Sequence, residues 1–325
     1  MTFDFIKLFT AAVFAGTPLL LGTLGEILTE KSGNLNLGVE GMMYMGAVSG
    51  LAGAYFTEIW FNGAGLPAVI AALIFSFLAG CLGALIYAFL TISMRADQNV
   101  TGLTLTIFGT GFAKFFGELM GQKAGGYVKV AAKTARSFGK MKLGGLSKIP
   151  VVGELFFHYN FMVYLALILT LALAFFLNRT RKGLNLQAVG EDPSTADSAG
   201  IPVARYRYFA TVLGGGICGL GGMYMSMVNQ KGIWVPECVS GYGWLAVALV
   251  IFSTWNPLRA LYCGLIFGGF TILRMYVPVP GLATQLYDML PYVATVLVLI
   301  ATSIRQSKEH RQPAGCGHNY FREDR

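Results

Sequence analysis

The chain has 325 residues, 55% of them hydrophobic and only 12% charged. A soluble globular domain carries roughly twice that charge share, and several apolar runs here reach the roughly 20 residues that cross a bilayer. A soluble enzyme is excluded, and the net charge of +8 reflects membrane orientation, not nucleic-acid binding.

The fold expected is all-α, a polytopic transmembrane helical bundle. A transmembrane barrel needs short alternating strands, and these runs do not alternate. The first span is predicted over residues 8–28, with Gly16, Pro18, Gly22 and Gly25 inside it, and it is read as a retained span and not a cleaved leader. A polar turn, TEKSGNLNL at 29–37, separates it from a second span at 38–56. That span is rich in glycine and alanine at helical spacing, so it packs centrally. A long span at 66–93 and a tight turn at 94–97 follow. The run at 98–118, QNVTGLTLTIFGTGFAKFFGE, has too many threonines and glycines to face lipid on all sides. A long connection at 120–159 carries seven cations, Lys123, Lys129, Lys133, Arg136, Lys140, Lys142 and Lys148. After it come a span at 161–177, a polar stretch at 188–207, a glycine-rich span at 208–228 and a polar and aromatic loop at 229–242. A short apolar piece at 243–254, a span at 258–276, a turn with Pro278, Pro280 and Gly281, and a last span at 290–304 complete the series. The tail, 305–325, is polar, mixed in charge and expected to be poorly ordered.

This makes about nine crossings, with eight or ten as alternatives. With nine, Arg179, Arg181, Lys182, Arg205, Arg207, Arg305, Lys308 and Arg311 share one side, which is then cytoplasmic, and the N-terminus is outside. The seven-cation connection then falls outside, against the usual bias. Either those lysines face an external partner, the preferred reading, or the segment is an amphipathic one at the inner surface.

No catalytic set stands out. There is no nucleotide-binding loop, so the chain does not hydrolyse ATP itself, and the glycines of 214–222 read as helix packing. Five cysteines lack a metal-binding spacing and three histidines are scattered, so no metal site is expected. Polar residues in or at the start of spans are costly and tend to line a cavity or bond helix to helix. Glu40, Gln98, Asn99, Thr101 and Thr104, with Asn36 of the preceding turn, are therefore candidate pathway residues, and interhelical bonding is the alternative.

The polar stretch AVGEDPSTADSAGIPVARYR at 188–207 is the other candidate. Glu191, Asp192, Pro193 and Ser194 read as a helix start, Gly200 as a break, and Pro202 as the opening of a second element. It is either an ordinary loop or a docking element for a cytoplasmic partner, with the small face of Ala196 and Ala199 pressed into that partner.

Three stretches resemble one transporter family: GEILTEKSGNLNLGVEGMMYMG at 25–46, RADQNVTGLTLTIFGTG at 95–111 and AVGEDPSTADSAGIPVARYRYFATVLGGGICGLGGMY at 188–224, supported by AVALVIFSTWNP at 246–257. They are similar to permease subunits of ATP-binding-cassette importers for branched-chain amino acids, ribose and nucleosides. The resemblance is strongest to nucleoside permeases that work with binding lipoproteins of the basic-membrane-protein family. Residues 122–148 and the tail after 305 lie outside it. It implies a type II importer fold, with one permease domain over 1–304 and a cytoplasmic tail over 305–325. It implies that 188–207 couples to a separate ATPase through Gly190, Glu191, Asp192, Ala196, Ala199, Gly200, Arg205 and Arg207. It further implies a second, similar but non-identical permease subunit, an extracytoplasmic binding lipoprotein, ATP and magnesium held by the ATPase and not by this chain, a bacterial cell membrane, and a nucleoside or simple sugar as substrate. The competing classes are an ion-driven secondary transporter, which predicts internal repeats and paired membrane acids, and a membrane protein of assembly without transport.

Overall fold

A computed structural model describes residues 5–61, 65–141, 152–277, 283–305 and 312–321. Among these the regular structure is helical, and one isolated antiparallel bridge joins Lys129 to Ile233. The helices are α1 (Phe5–Glu30), α2 (Val39–Trp60), α3 (Gly65–Ala88) continued by a π-turn (Phe89–Ser93), α4 (Gln98–Lys123), and the short α5 (Ala132–Ser137) and α6 (Val152–Phe156). They continue as α7 (Phe161–Arg179), α8 (Arg181–Glu191), α9 (Pro193–Ser198), and α10 (Val203–Tyr224) with a second π-turn (Met225–Asn229). The series ends with α11 (Tyr242–Phe252), α12 (Pro257–Tyr276) and α13 (Thr284–Arg305).

Each apolar run of the sequence forms a helix. Among the described residues, five helices are fit by length and composition to cross a membrane: α1, α3 with its π-turn, α7, α10 with its π-turn, and α12. Helices α2, α4 and α13, with 22, 26 and 22 residues, have the length. Helix α11 has 11 residues, too few to span a bilayer. Helix boundaries follow local capping chemistry. Asp97 accepts the Val100 N–H at the start of α4, Asn160 that of Val163 in α7, and Thr180 that of Gly183 in α8. Asn256 caps α12, with Pro257 in the first turn where its missing N–H costs nothing.

Helix α10 is the axis of the bundle. Every residue from Gly214 to Tyr224 is buried, between α1, α2 and α3. The glycines let backbones meet. A Cβ placed on Gly46 of α2 would lie 2.2 Å from the Gly219 carbonyl oxygen, and one on Gly80 of α3 would lie 2.2 Å from that of Gly215. Such close approach gives dispersion contact that larger side chains prevent. The glycine run thus packs helices, as its sequence context indicates. The central position expected of α2 also holds, since its residues 39–48 are buried without a break. Helix α4 turns a stripe of Thr101, Leu105, Gly109, Ala113 and Gly117 inward and presents Ile107, Phe108 and Phe115 outward.

The bundle has two ends. One end collects the 31–38 loop, the 94–97 turn, α8, α9 and residues 253–256. The other receives the basic connection. Helix α10 and its π-turn run 27 residues between them, about 40 Å at 1.5 Å per residue. At the far end Val130 N–H donates to the Gly232 carbonyl and Ala131 N–H to Glu58 Oε2. Lys123, Lys129, Lys133, Arg136 and Lys140 therefore lie opposite α8 and α9, while Lys142 and Lys148 fall outside the described residues. So do Pro278, Pro280, Gly281, Lys308 and Arg311.

The tail departs from expectation. Residues 312–321 are not a loose polar end. They fold back onto α8, α9 and the 94–97 turn, with Pro313, Gly315 and Cys316 buried. Small residues and turn formers, PAGCG, allow this close seating. Polarity alone does not reveal it.

Candidate coupling surface and buried polar hub

Helices α8 and α9 are set by alternating burial. Gly183, Leu186, Val189 and Gly190 form the buried side of α8. Gly190 lies against the chain after α1, where a Cβ would come within 2.3 Å of the Lys31 carbonyl oxygen. Burial pushes the Lys31 ammonium below its usual range, and the Glu191 carboxylate opposes that shift. Glu191 closes α8 and does not start the next helix, which corrects the sequence reading. Asp192 is the cap of α9. Its Oδ1 accepts the N–H groups of Ser194 and Thr195 at 3.0 and 3.1 Å, and the Thr195 hydroxyl donates to Oδ2. The Thr195 bonds, with that of Ser194, hold this carboxyl below the ordinary aspartate range.

Helix α9 ends at Gly200, whose φ is +82°. Ile201 N–H donates to the Ala196 carbonyl and Gly200 N–H to that of Asp197, both at 3.0 Å. This is a Schellman closure, with Ile201 packing back toward Ala196. Ala196 itself is 3% exposed and packs with Val189 and Val203. It faces the membrane domain, not a partner, because the 6→1 closure folds the chain over it. Of the residues assigned to coupling, Glu191, Asp192, Ala199, Gly200 and Arg205 are exposed, while Gly190, Ala196 and Arg207 are buried. The free face of α9 is thus Thr195, Ser198 and Ala199.

Beneath this surface lies a polar hub built on the 31–38 loop. Asn34 and Asn36 are 0% and 1% exposed. Asn34 Nδ2 donates to the Thr211 hydroxyl at 3.1 Å, Asn36 N–H to Glu26 Oε1 at 3.0 Å, and Leu35 N–H to Gln98 Oε1 at 2.7 Å. The Tyr87 hydroxyl donates to the Leu35 carbonyl, and Trp255 Nε1–H to Glu30. Glu26 and Glu30, one helical turn apart, are both sealed from solvent. Arg207 is also buried, and its Nη1 donates to the His318 carbonyl at 3.2 Å. Side chains from α1, α3, α4, α10 and the 253–256 turn thus meet at one loop. Polar groups buried this deeply fix relative helix positions because each lost partner leaves an unsatisfied group.

Glu40 stands apart from the hub. Its Oε1 accepts the N–H of Gly241, the left-handed residue before α11, at 3.1 Å. Helix α11 lies along the last turns of α1, where the Thr23 hydroxyl donates to the Ala246 carbonyl at 3.1 Å. The half-length helix therefore starts inside the bundle. Its first N–H groups have no helical partner, and its dipole favours negative charge there. Glu40 supplies the acceptor. Transporters place substrate and ion sites at such interrupted helices.

The six pathway candidates separate. Asn36 and Gln98 belong to the hub, and Glu40 caps α11. The hydroxyls of Thr101 and Thr104 donate to carbonyls one turn back, those of Asp97 and Val100. Asn99 and Thr104 lie on the exposed face of α4. Sequence reasoning missed Glu26, Glu30, Asn34, Tyr87 and Trp255. The acids of GEILTE, four residues apart within a span, were the available signal.

The family described as branched-chain amino acid transport system / permease component matches residues 8–299. The putative glucose ABC transporter permease protein TsgC13 of Haloferax volcanii is 35% identical, over 97% of this chain and 98% of its own. The guanosine ABC transporter permease protein NupQ of Bacillus subtilis is 35% identical over 89% of both chains. A second guanosine permease of that organism, NupP, is 19% identical over 88% of this chain and 79% of its own.

Proposed function

Because the chain belongs to the branched-chain amino acid transport system permease family, we propose that it forms part of the import pathway for a nucleoside and is driven by a separate ATPase. It is a multi-pass membrane subunit of an ATP-binding-cassette transporter and a transport component, not a catalyst. The observation that carries the substrate is the 35% identity to a guanosine permease across 89% of both chains. A simple sugar is the second reading, favoured by the equal identity to a putative glucose permease. Guanosine and glucose are both uncharged and both present a ring of hydroxyls, so the pathway is suited to a neutral polyhydroxylated solute.

Helices α8 and α9 dock on the ATPase from the cytoplasm, through Glu191, Asp192, Ala199 and Gly200, with Arg205 at the membrane edge. Gly190, Ala196 and Arg207 hold that surface from behind. The chain crosses the prokaryotic cell membrane about nine times if α2, α4, α13 and the half-length α11 are counted with the five apolar helices. The N-terminus is then outside, and residues 305–325 are cytoplasmic. The basic connection faces outward toward a substrate-binding lipoprotein. A second, non-identical permease completes the pathway; two distinct guanosine permeases in one organism support that arrangement. ATP and magnesium bind the ATPase. Alternation of the pathway begins when ATPase closure moves α9. Asn36, Glu40, Gln98, Asn99, Thr101 and Thr104 are the pathway candidates, and Glu40 leads them because it holds an interrupted helix.

The test is uptake of labelled guanosine and labelled glucose by cells expressing this chain with its partner subunits. Guanosine is expected to enter and to be competed by other nucleosides but not by excess glucose. Glucose uptake that nucleosides leave untouched would establish the sugar reading instead.

A further inference from the structure

The strongest unassigned feature is the folded tail. It lies beyond residue 299, where the family match ends. Its contacts reach three separate parts of the coupling end. Gly315 N–H donates to the Gly190 carbonyl at 2.9 Å, and Ala314 N–H to Glu191 Oε2 at 3.3 Å, at the end of α8. The Tyr320 hydroxyl donates to Asp197 Oδ2 at 2.8 Å, on α9. Asn319 Nδ2 donates to the Arg95 and Ala96 carbonyls at 2.7 and 3.2 Å, and its Oδ1 accepts from Gln98 Nε2 at 3.3 Å. Arg95 stacks over the Phe321 ring, 4.5 Å from its centroid.

We propose that residues 312–321 are a strap that ties α9 to the turn between α3 and α4, so that motion of the coupling helix is passed to α4 as well as to α10. This rests on the reading of α8 and α9 as the ATPase-docking surface. Without the tail, α9 reaches the membrane domain through its cluster with Val189 and Val203 and through the start of α10. With it, a hydrogen-bonded path runs from Asp197 through Tyr320 and Asn319 to Gln98, and from Gln98 to Leu35 in the hub. The tail seats on the inward side of α9. Tyr320 packs against the cluster of Val189, Ala196 and Val203, leaving Ser198 and Ala199 exposed. It braces the docking helix and does not cover its free face. Glu191, Asp192, Pro193 and Ser194 face Gly315, His318 and Asn319 across a groove of about 320 Å³, so the strap also forms one wall of the surface offered to the ATPase.

The test removes hydrogen bonds and keeps the apolar packing, in the double variant Asn319→Ala, Tyr320→Phe. In the purified chain, amide exchange over residues 193–201 is expected to rise about tenfold, because the Tyr320–Asp197 hydrogen bond on α9 and the Asn319 anchor on residues 95–98 are both lost. In the complete transporter the ATPase should still co-purify, while substrate moved per ATP hydrolysed falls about fivefold. Single variants, Asn319→Ala and Tyr320→Phe, give smaller changes in the same direction and cover the case in which the double variant does not fold. Unchanged exchange over 193–201, or an unchanged ratio of transport to hydrolysis, would overturn the strap. If the unmodified chain fails to retain the ATPase, the docking reading falls; exchange then still decides whether the tail holds α9.

Discussion

Ala196→Trp and Gly200→Val are each expected to leave the protein in the membrane but to abolish most coupled transport. The two act differently. Ala196 is 3% exposed among Val189, Val203, Ile201, Tyr206 and Tyr320. An indole there cannot fit in place, and overpacking of this kind costs about 1–3 kcal/mol. Relief comes by levering α9 outward, since the helix is only six residues long. Gly200 has open space around its α-carbon but a φ of +82°. A Cβ there meets nothing within 4 Å, yet a branched residue still strains the backbone, by about 1–3 kcal/mol. Its closure bonds to Ala196 and Asp197 weaken, and the entry into α10 shifts. Ser194→Ala is expected to have little effect, because the Asp192 cap uses the Ser194 N–H and not its hydroxyl. Uptake, read together with ATPase co-purification from detergent, checks all three. Normal transport and retention in both Ala196→Trp and Gly200→Val would mean that 188–207 is an ordinary connection with no part in coupling.

Gly222→Val is expected to prevent the bundle from assembling at all. A Cβ at Gly222 would lie 1.7 Å from the Met43 carbonyl oxygen and 2.5 Å from its carbon. Those are backbone atoms of α2, which is buried on most sides and cannot step aside. Gly46 faces the same problem, with the Gly219 oxygen and α-carbon at 2.2 and 2.4 Å. A clash of backbone against backbone exceeds the roughly 1–3 kcal/mol of ordinary overpacking, because α2 and α10 must separate along their whole crossing, and that separation exhausts a total stability of roughly 5–15 kcal/mol. Gly111 of α4 is the control, since a Cβ there meets nothing within 4 Å. Gly111→Ala should be neutral or slightly stabilising, given the better helix propensity of alanine. Monodisperse yield after detergent extraction, with a thermal melt of the extracted protein, distinguishes the outcomes. A normal yield and melt for Gly222→Val would refute the tight α2–α10 crossing.

The order of helices was legible because apolar runs and glycine spacing carry strong signals. The central placement of α2 and α10 followed from small residues at helical intervals. The Asp192 and Pro193 helix start and the Gly200 break were also readable, since capping and positive φ depend on local chemistry. The inward face of Ala196 was not, because a six-residue helix has too little periodicity to define a buried stripe. Glu26 and Glu30 escaped notice since burial of an acid depends on partners distant in sequence, Asn36 by 10 residues and Trp255 by 225. The tail misled for the same reason. Its mixed charge resembles a loose end, while Tyr320 finds Asp197 across 123 residues. Glu40 stood out as a membrane acid, but only the structure shows it capping a half-length helix that starts inside the bundle.

The central claim is that this chain moves solute only as part of an ATP-driven assembly. Flux into proteoliposomes measures that directly. Vesicles holding the chain with its ATPase and second permease, supplied with binding protein and substrate on one side and ATP on the other, should accumulate substrate, and a non-hydrolysable ATP analogue should stop it. Vesicles holding this chain alone should accumulate none. Substrate transport by the lone chain, without ATPase, would contradict the account.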